Sequence, residues 1–207
     1  MSTTETNETA AVRTVEGRQV PATGTWTVDA AHSTVEFVAR HLMVTKVRGR
    51  FADYDATITI ADDPAASSVD VTIQVASVTT GDEGRDGHLT SPDFFDTANF
   101  PTLTFKSTKV TPVGSDTWKV DGDLTVKDVT KPVVLDVEFG GVATDPWGNQ
   151  KAFFSASTEV DREEWGLTWN QPLAGGGVLV GKKAKIELEI QAAQVPETPE
   201  TPEAPEA

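Results

Sequence analysis

Val69-Asp70-Val71-Thr72-Ile73-Gln74-Val75 puts an apolar side chain at every second position and a polar one between. A period of two marks a strand with one face in a core and the other in water. The alternation returns where Ile186, Leu188 and Ile190 are separated by Glu187 and Glu189 and flanked by Lys185 and Gln191. Comparable runs cover Ser33 to Arg40, Phe51 to Ile60, Leu103 to Val110, Thr117 to Val126, Val133 to Phe139 and Ala152 to Val160. About eight strands result, enough to close a small barrel around one ligand. Turn-rich breaks at 61–68, 111–116 and 144–150 favour antiparallel neighbours. Only His41 to Val47 and Glu83 to Thr90 read as helical, each as a turn or two between strands. The expected fold is therefore all-β, a closed antiparallel β-barrel with short helical segments in its loops. No repeat at a fixed period points to a solenoid or propeller.

The ends read differently. The C-terminus, PETPETPEAPEA from Pro196, has proline at every third position and glutamate as its only charge, so it has no apolar face to bury. We expect a disordered acidic tail over 194–207, a disordered Thr- and Glu-rich segment over 1–22, and one barrel domain over 23–193. The chain has 207 residues, 38% of them apolar, and a net charge of −15. The acidic balance, without a density of Lys and Arg, argues against a nucleic-acid partner, and none is expected. An acidic surface also repels anionic membrane faces, which disfavours stable membrane insertion or residence. Cysteine is absent, removing disulfides and thiolate ligands. No apolar run reaches the length of a membrane span, and MSTTETNETAAVRTVEGRQV lacks the apolar core of a signal peptide. A cytoplasmic location is expected.

Gly81 to Phe105, GDEGRDGHLTSPDFFDTANFPTLTF, is too long for a simple turn and places large rings beside charged and imidazole groups. Connections of this kind tend to be lids or binding loops. Arg85 has a guanidinium suited to phosphate or carboxylate, or else simply pairs with loop charges such as Asp86. His32 and His88 either hydrogen-bond a head group or are satisfied by backbone carbonyls, Asp29 and Asp86. With His41 they make three imidazoles that could hold zinc, but none forms a close pair and each lies in a different segment, so no metal is expected. Gly176 to Lys183 approaches a phosphate-binding loop, yet Lys183 stands where the hydroxyl belongs and a strand follows where that loop needs a helix. No G-x-S-x-G occurs, and no catalytic residue or cofactor is assigned. The many aromatic rings either fill a barrel interior or line a pocket.

Arg85-Asp86-x-His88-Leu89, Asp93-Phe94-Phe95-Asp96 and Phe100-Pro101 resemble the signature of the YceI-like family. So do Asp29-x-x-His32-Ser33, Val47-x-Gly49-x-Phe51, Gly122-x-Leu124-Thr125 with Val129-Thr130-Lys131-Pro132-Val133, and Asp161-Arg162 with Gly166-Leu167. The likeness runs from Thr25 to Gln191. It implies a lipocalin-like barrel holding a polyisoprenoid or another long-chain amphiphilic lipid, for transport or storage. On that reading His32, Arg85 and His88 meet the head group. Phe37, Phe51, Leu89, Phe94, Phe105, Leu124, Phe153, Trp165 and Trp169 line the tunnel, where apolar burial releases roughly 25 cal/mol per Å². An enzyme with His32 and His88 as acid and base is the alternative. The sequence leaves open whether the barrel forms a homodimer.

Overall fold

A computed structural model describes residues 11–196. Strands β1 (Val12–Val15) and β2 (Arg18–Pro21) form a separate hairpin. The other strands are β3 (Gly24–Val28), β4 (Thr34–His41), β5 (Thr45–Phe51), β6 (Tyr54–Ile60), β7 (Ser68–Gln74), β8 (Val78–Thr79), β9 (Thr102–Pro112), β10 (Thr117–Val126), β11 (Val129–Thr144), β12 (Gln150–Asp161) and β13 (Val180–Gln194). The one α-helix among the described residues, α1 (Glu83–Thr90), lies in the connection after β8. No helix among the described residues is long and apolar enough to cross a membrane.

The short strands combine into long staves. β3 and β4 are one stave broken by a 3-10 turn at Ala30–His32, β5 and β6 one broken at Ala52 and Asp53, and β7 and β8 one broken at Val75–Ser77. Each break leaves ladder groups to satisfy, and hydroxyls do it. Ser77 Oγ accepts from Ala52 N–H and Asp53 N–H at 3.1 and 3.0 Å, and Ser33 Oγ accepts from Gln191 N–H at 2.9 Å. The staves follow chain order, each antiparallel to the next. β13 pairs with β12 along one edge and with both β3 and β4 along the other, so the eight-stranded barrel is closed.

One end is a solid plug. Trp26 is 0% exposed and packs with Ala22, Ile60, Phe139, Ala152 and Ala192. Ala152 pairs with Ala192, and these two small residues make room for the indole, whose Nε1–H donates to Ala22 O at 3.1 Å. Phe154 joins this cluster against Phe139, with ring centroids 5.4 Å apart.

Three expectations need correction. Residues 12–22 are not a disordered segment. Val20 and Ala22 are buried, Arg18 Nε donates to Gly114 O at 3.1 Å, and Arg13 donates to Asp62 O at 2.7 Å and to Ala61 O, so the hairpin is tied to two barrel turns. The tail expected from 194 starts inside order, since Gln194 pairs with Trp26 and Val195 N–H donates to Thr25 O. The rest of both expected segments, 1–10 and 197–207, lies outside the described residues. Finally, 41–47 is not helical: it is the end of β4, a tight turn and the start of β5.

Candidate functional site

Above the plug the barrel encloses a cavity of about 270 Å³. Inward alternation builds its wall. Val35, Phe37 and Ala39 come from β4, Val69, Val71 and Ile73 from β7, and Ala184, Ile186, Leu188 and Ile190 from β13. Leu89, Phe94 and Phe95 from the long connection, with Trp165 and Leu167 from the loop after β12, form the ceiling. The atoms exposed to the interior are apolar, although Tyr54, Thr158 and Arg162 also border it.

Two glycines shape this wall. Gly49 faces Phe37 across β4 and β5, and Gly122 lies beside a bulge opposite β9; at either one a β-carbon would collide with the ring of Phe37 or Phe105. A glycine in a strand that yields its space to a neighbouring ring is the usual sign of close approach. Phe37, Phe51 and Phe95 then touch in sequence, with centroids 5.8 Å apart at each step, and carry the aromatic wall up to the ceiling.

Of the residues expected in the tunnel, Phe37, Phe51, Leu89, Phe94, Phe105, Leu124 and Trp165 line the cavity. Trp169 is one layer out. Its ring packs on His88 at 4.5 Å and Phe94 at 5.4 Å. Phe153 is a correction: it faces outward beside His32 in a shallow groove, while its neighbour Phe154 faces in. Two adjacent phenylalanines fit either register, and a slip of one residue turns a side chain to the opposite face.

The three residues expected at the head group are not assembled into one site. His32 sits at the break between β3 and β4, with Nδ1 3.0 Å from Asp29 Oδ2, and shares no partner with the other two. Burial alone would raise the Asp29 carboxyl; His32, Lys151 and the Ala31 N–H hold it below its usual value. Arg85 is exposed and donates through Nε to Thr80 Oγ1 at 2.7 Å. His88 is the one at the rim, with Nε2 3.0 Å from Asp93 Oδ2 and its ring edge-on to Phe94 at 5.0 Å. Among the described residues no cluster of His, Asp and Glu could hold a metal ion.

Sequence reasoning assigned no role to Arg162, the buried charged residue at the cavity's upper edge, 7% exposed. Its Nε donates to Gly181 O at 3.0 Å and Nη1 to Leu167 O, and its guanidinium carbon stands 5.9 Å from the centre of Phe94. Burial pushes its pKa down, against the charges of Glu163 and Asp161. The side chain therefore knits the loop bearing Trp165 and Leu167 to β13. Tyr54 was also missed. It borders the cavity, and its buried hydroxyl has no hydrogen-bond partner among the described residues. The alternation that marks Ala56 and Ile58 as inward would have found it.

A family profile described as the YceI-like domain matches residues 26–192. A UPF0312 protein of Staphylococcus aureus strain N315 is 40% identical over 164 residues, covering 78% of this chain and 93% of its own length. The crystal structure of the Campylobacter jejuni YCEI protein superposes with a TM-score of 0.65 at 32% identity, over 76% of this chain and 90% of that one. A polyisoprenoid binding domain from Saccharophagus degradans shares the fold, with a TM-score of 0.64 at 15% identity over 84% of this chain and all of its own.

Proposed function

The chain belongs to the YceI-like family, and from that premise we propose that it binds a long-chain isoprenoid, or an amphiphile with a comparable tail, inside the barrel as a carrier or store. The observation that carries this reading is the cavity's wholly apolar exposed lining. Such a wall rewards the removal of hydrocarbon from water and penalises any polar group without a partner. The head group therefore belongs outside the ceiling, near His88, rather than in the interior. The polyisoprenoid binding domain of Saccharophagus degradans, with the same fold, supports the ligand class.

The cavity of about 270 Å³ is close to the lower end of small-molecule pockets, roughly 300–1,000 Å³. A tail of many isoprene units requires ceiling rings such as Phe94 and Phe95 to turn aside. The enzyme alternative lacks its pair, because His32 and His88 hold different carboxylates and share no contact. Binding without turnover is the better-supported reading.

Native mass spectrometry of freshly purified protein, followed by organic extraction, tests it. A stoichiometric isoprenoid, returned chemically unchanged, is the expected result. Protein that flies at its bare sequence mass and stays bare after incubation with polyprenyl lipids would overturn the proposal.

A further inference from the structure

The turn between β4 and β5 is built against its own local preference. Leu42 and Met43 both adopt positive φ, 51° and 63°, and the turn closes with Val44 N–H donating to His41 O at 3.1 Å. Two-residue hairpin turns of this kind favour Asn and Gly, because a side chain at positive φ is strained. The corresponding turns in this chain carry Glu16-Gly17 and Lys127-Asp128. Here the two strained positions hold large apolar side chains that are about half exposed, Leu42 at 44% and Met43 at 53%, and Val44 beside them is 75% exposed. Neither packing nor turn chemistry explains that choice, and local strain of this kind gathers at functional positions.

Around the tip the charge of the protein is inverted. No acidic residue lies between Glu36 and Asp53, whereas Arg40, Lys46, Arg48 and Arg50 fall within that window of a chain with net charge −15. Arg40 and Lys46 are direct cross-strand partners, so like charges face each other, an arrangement that destabilises a sheet. Arg48 is paired with Glu36 and Glu187. Arg40, Lys46 and Arg50 have no carboxylate at ion-pair distance among the described residues.

The hairpin is also continuous with the cavity. Val35, Phe37 and Ala39 line it along β4, His41 pairs with the cavity residue Val180, and Leu42 N–H donates to Leu179 O at 2.8 Å.

We infer that the β4–β5 hairpin is a docking surface for an anionic lipid bilayer. The apolar tip enters the headgroup boundary while Arg40 and Lys46, the pair nearest the turn, meet lipid phosphates, the division of labour found in interfacial membrane anchors. The nearest carboxylates, Glu36 and Glu187, lie at the base of the hairpin against Arg48, away from the turn itself, so they limit residence without preventing contact of the tip. Three side chains are too few for a stable protein interface, which buries about 800 Å² per partner, but they suffice to seat a hairpin in a bilayer surface. This inference rests on the hairpin alone and is independent of what fills the cavity.

Vesicles free of isoprenoid keep the two proposals separable. The full chain is expected to co-sediment with vesicles of mixed phosphatidylglycerol and phosphatidylcholine but not with phosphatidylcholine alone, and to be released by salt. Each cation removed should weaken binding about fivefold, so the double variant Arg40→Gln/Lys46→Gln should lose about twenty-five-fold. Val44→Asp, at an exposed site with an unchanged melting temperature, should abolish co-sedimentation. Binding that none of these variants changes, or no binding to the anionic vesicles at low salt, overturns the inference. A solution dimer disrupted by Val44→Asp, without vesicle binding, overturns it in favour of a second copy of the chain.

Discussion

The ring of Phe37 occupies the space that a side chain at Gly49 would need, directly across the β4–β5 ladder. Gly49 is thus part of the cavity wall although it contributes no atoms beyond its backbone. Gly49→Val should push Phe37 into the interior, costing about 1–3 kcal/mol of stability from overpacking and reducing uptake of a fluorescent long-chain probe. Chemical denaturation and probe titration check the two effects. Unchanged uptake at reduced stability would remove Phe37 from the ligand's path.

Ala39 and Ala184 are cross-strand partners that both border the cavity. Ala39→Leu fills empty space rather than displacing a ring, so stability should hold or rise by about 0.5–2 kcal/mol. Ligand capacity should fall all the same. A thermal melt set beside mass spectrometry of the extracted ligand reads both, and undiminished loading would place the ligand elsewhere.

Arg162 satisfies Gly181 O and Leu167 O from a nearly buried position. Arg162→Met keeps the bulk but strands those carbonyls, at about 1–3 kcal/mol for each buried group left unpaired. Arg162→Lys should rescue little, because an ammonium cannot reproduce the planar fork. Equal denaturation midpoints for all three proteins would contradict the role given to the guanidinium.

Acid should weaken the fold in a defined window. Lys185 and Arg48 donate to Glu187 and pull its carboxyl down from 4.5 to about 2. Asp29, Asp86 and Asp145 also lie below their usual values; at Asp86, burial opposes the shift and hydrogen bonds from Thr80 and Thr79 outweigh it. Because the folded pKa is the lower one, the unfolded chain binds more protons as pH falls. The stabilisation is complete above the unfolded value near 4.5 and disappears toward 2. Melting temperatures should be flat from neutral pH to about 5 and drop below it, less steeply in high salt because Glu187 remains partly open to solvent. A flat profile down to pH 2 would show these contacts to be inconsequential.

The alternations around Val71 and Leu188 made the strands and their inward faces legible, because a period of two is a property of consecutive residues. Where two apolar residues adjoin, as at Phe153 and Phe154, the pattern is degenerate, and pairing with β11 and β13 chose the face. Composition hid the hairpin at 12–21: its stability comes from Ala61, Asp62 and Gly114, residues far away in the chain.

By itself the sequence determined a closed all-β barrel with an apolar interior, and its motifs determined the family. Only the tertiary structure decided which polar groups stand together. It separated His32 from His88, gave Gly49 and Gly122 their reason as spaces for Phe37 and Phe105, and set Arg162 as the clasp of the ceiling. The reason is physical: strand periodicity is encoded between neighbours, whereas a hydrogen-bond partner or a ring's resting place depends on residues brought close only when the barrel shuts.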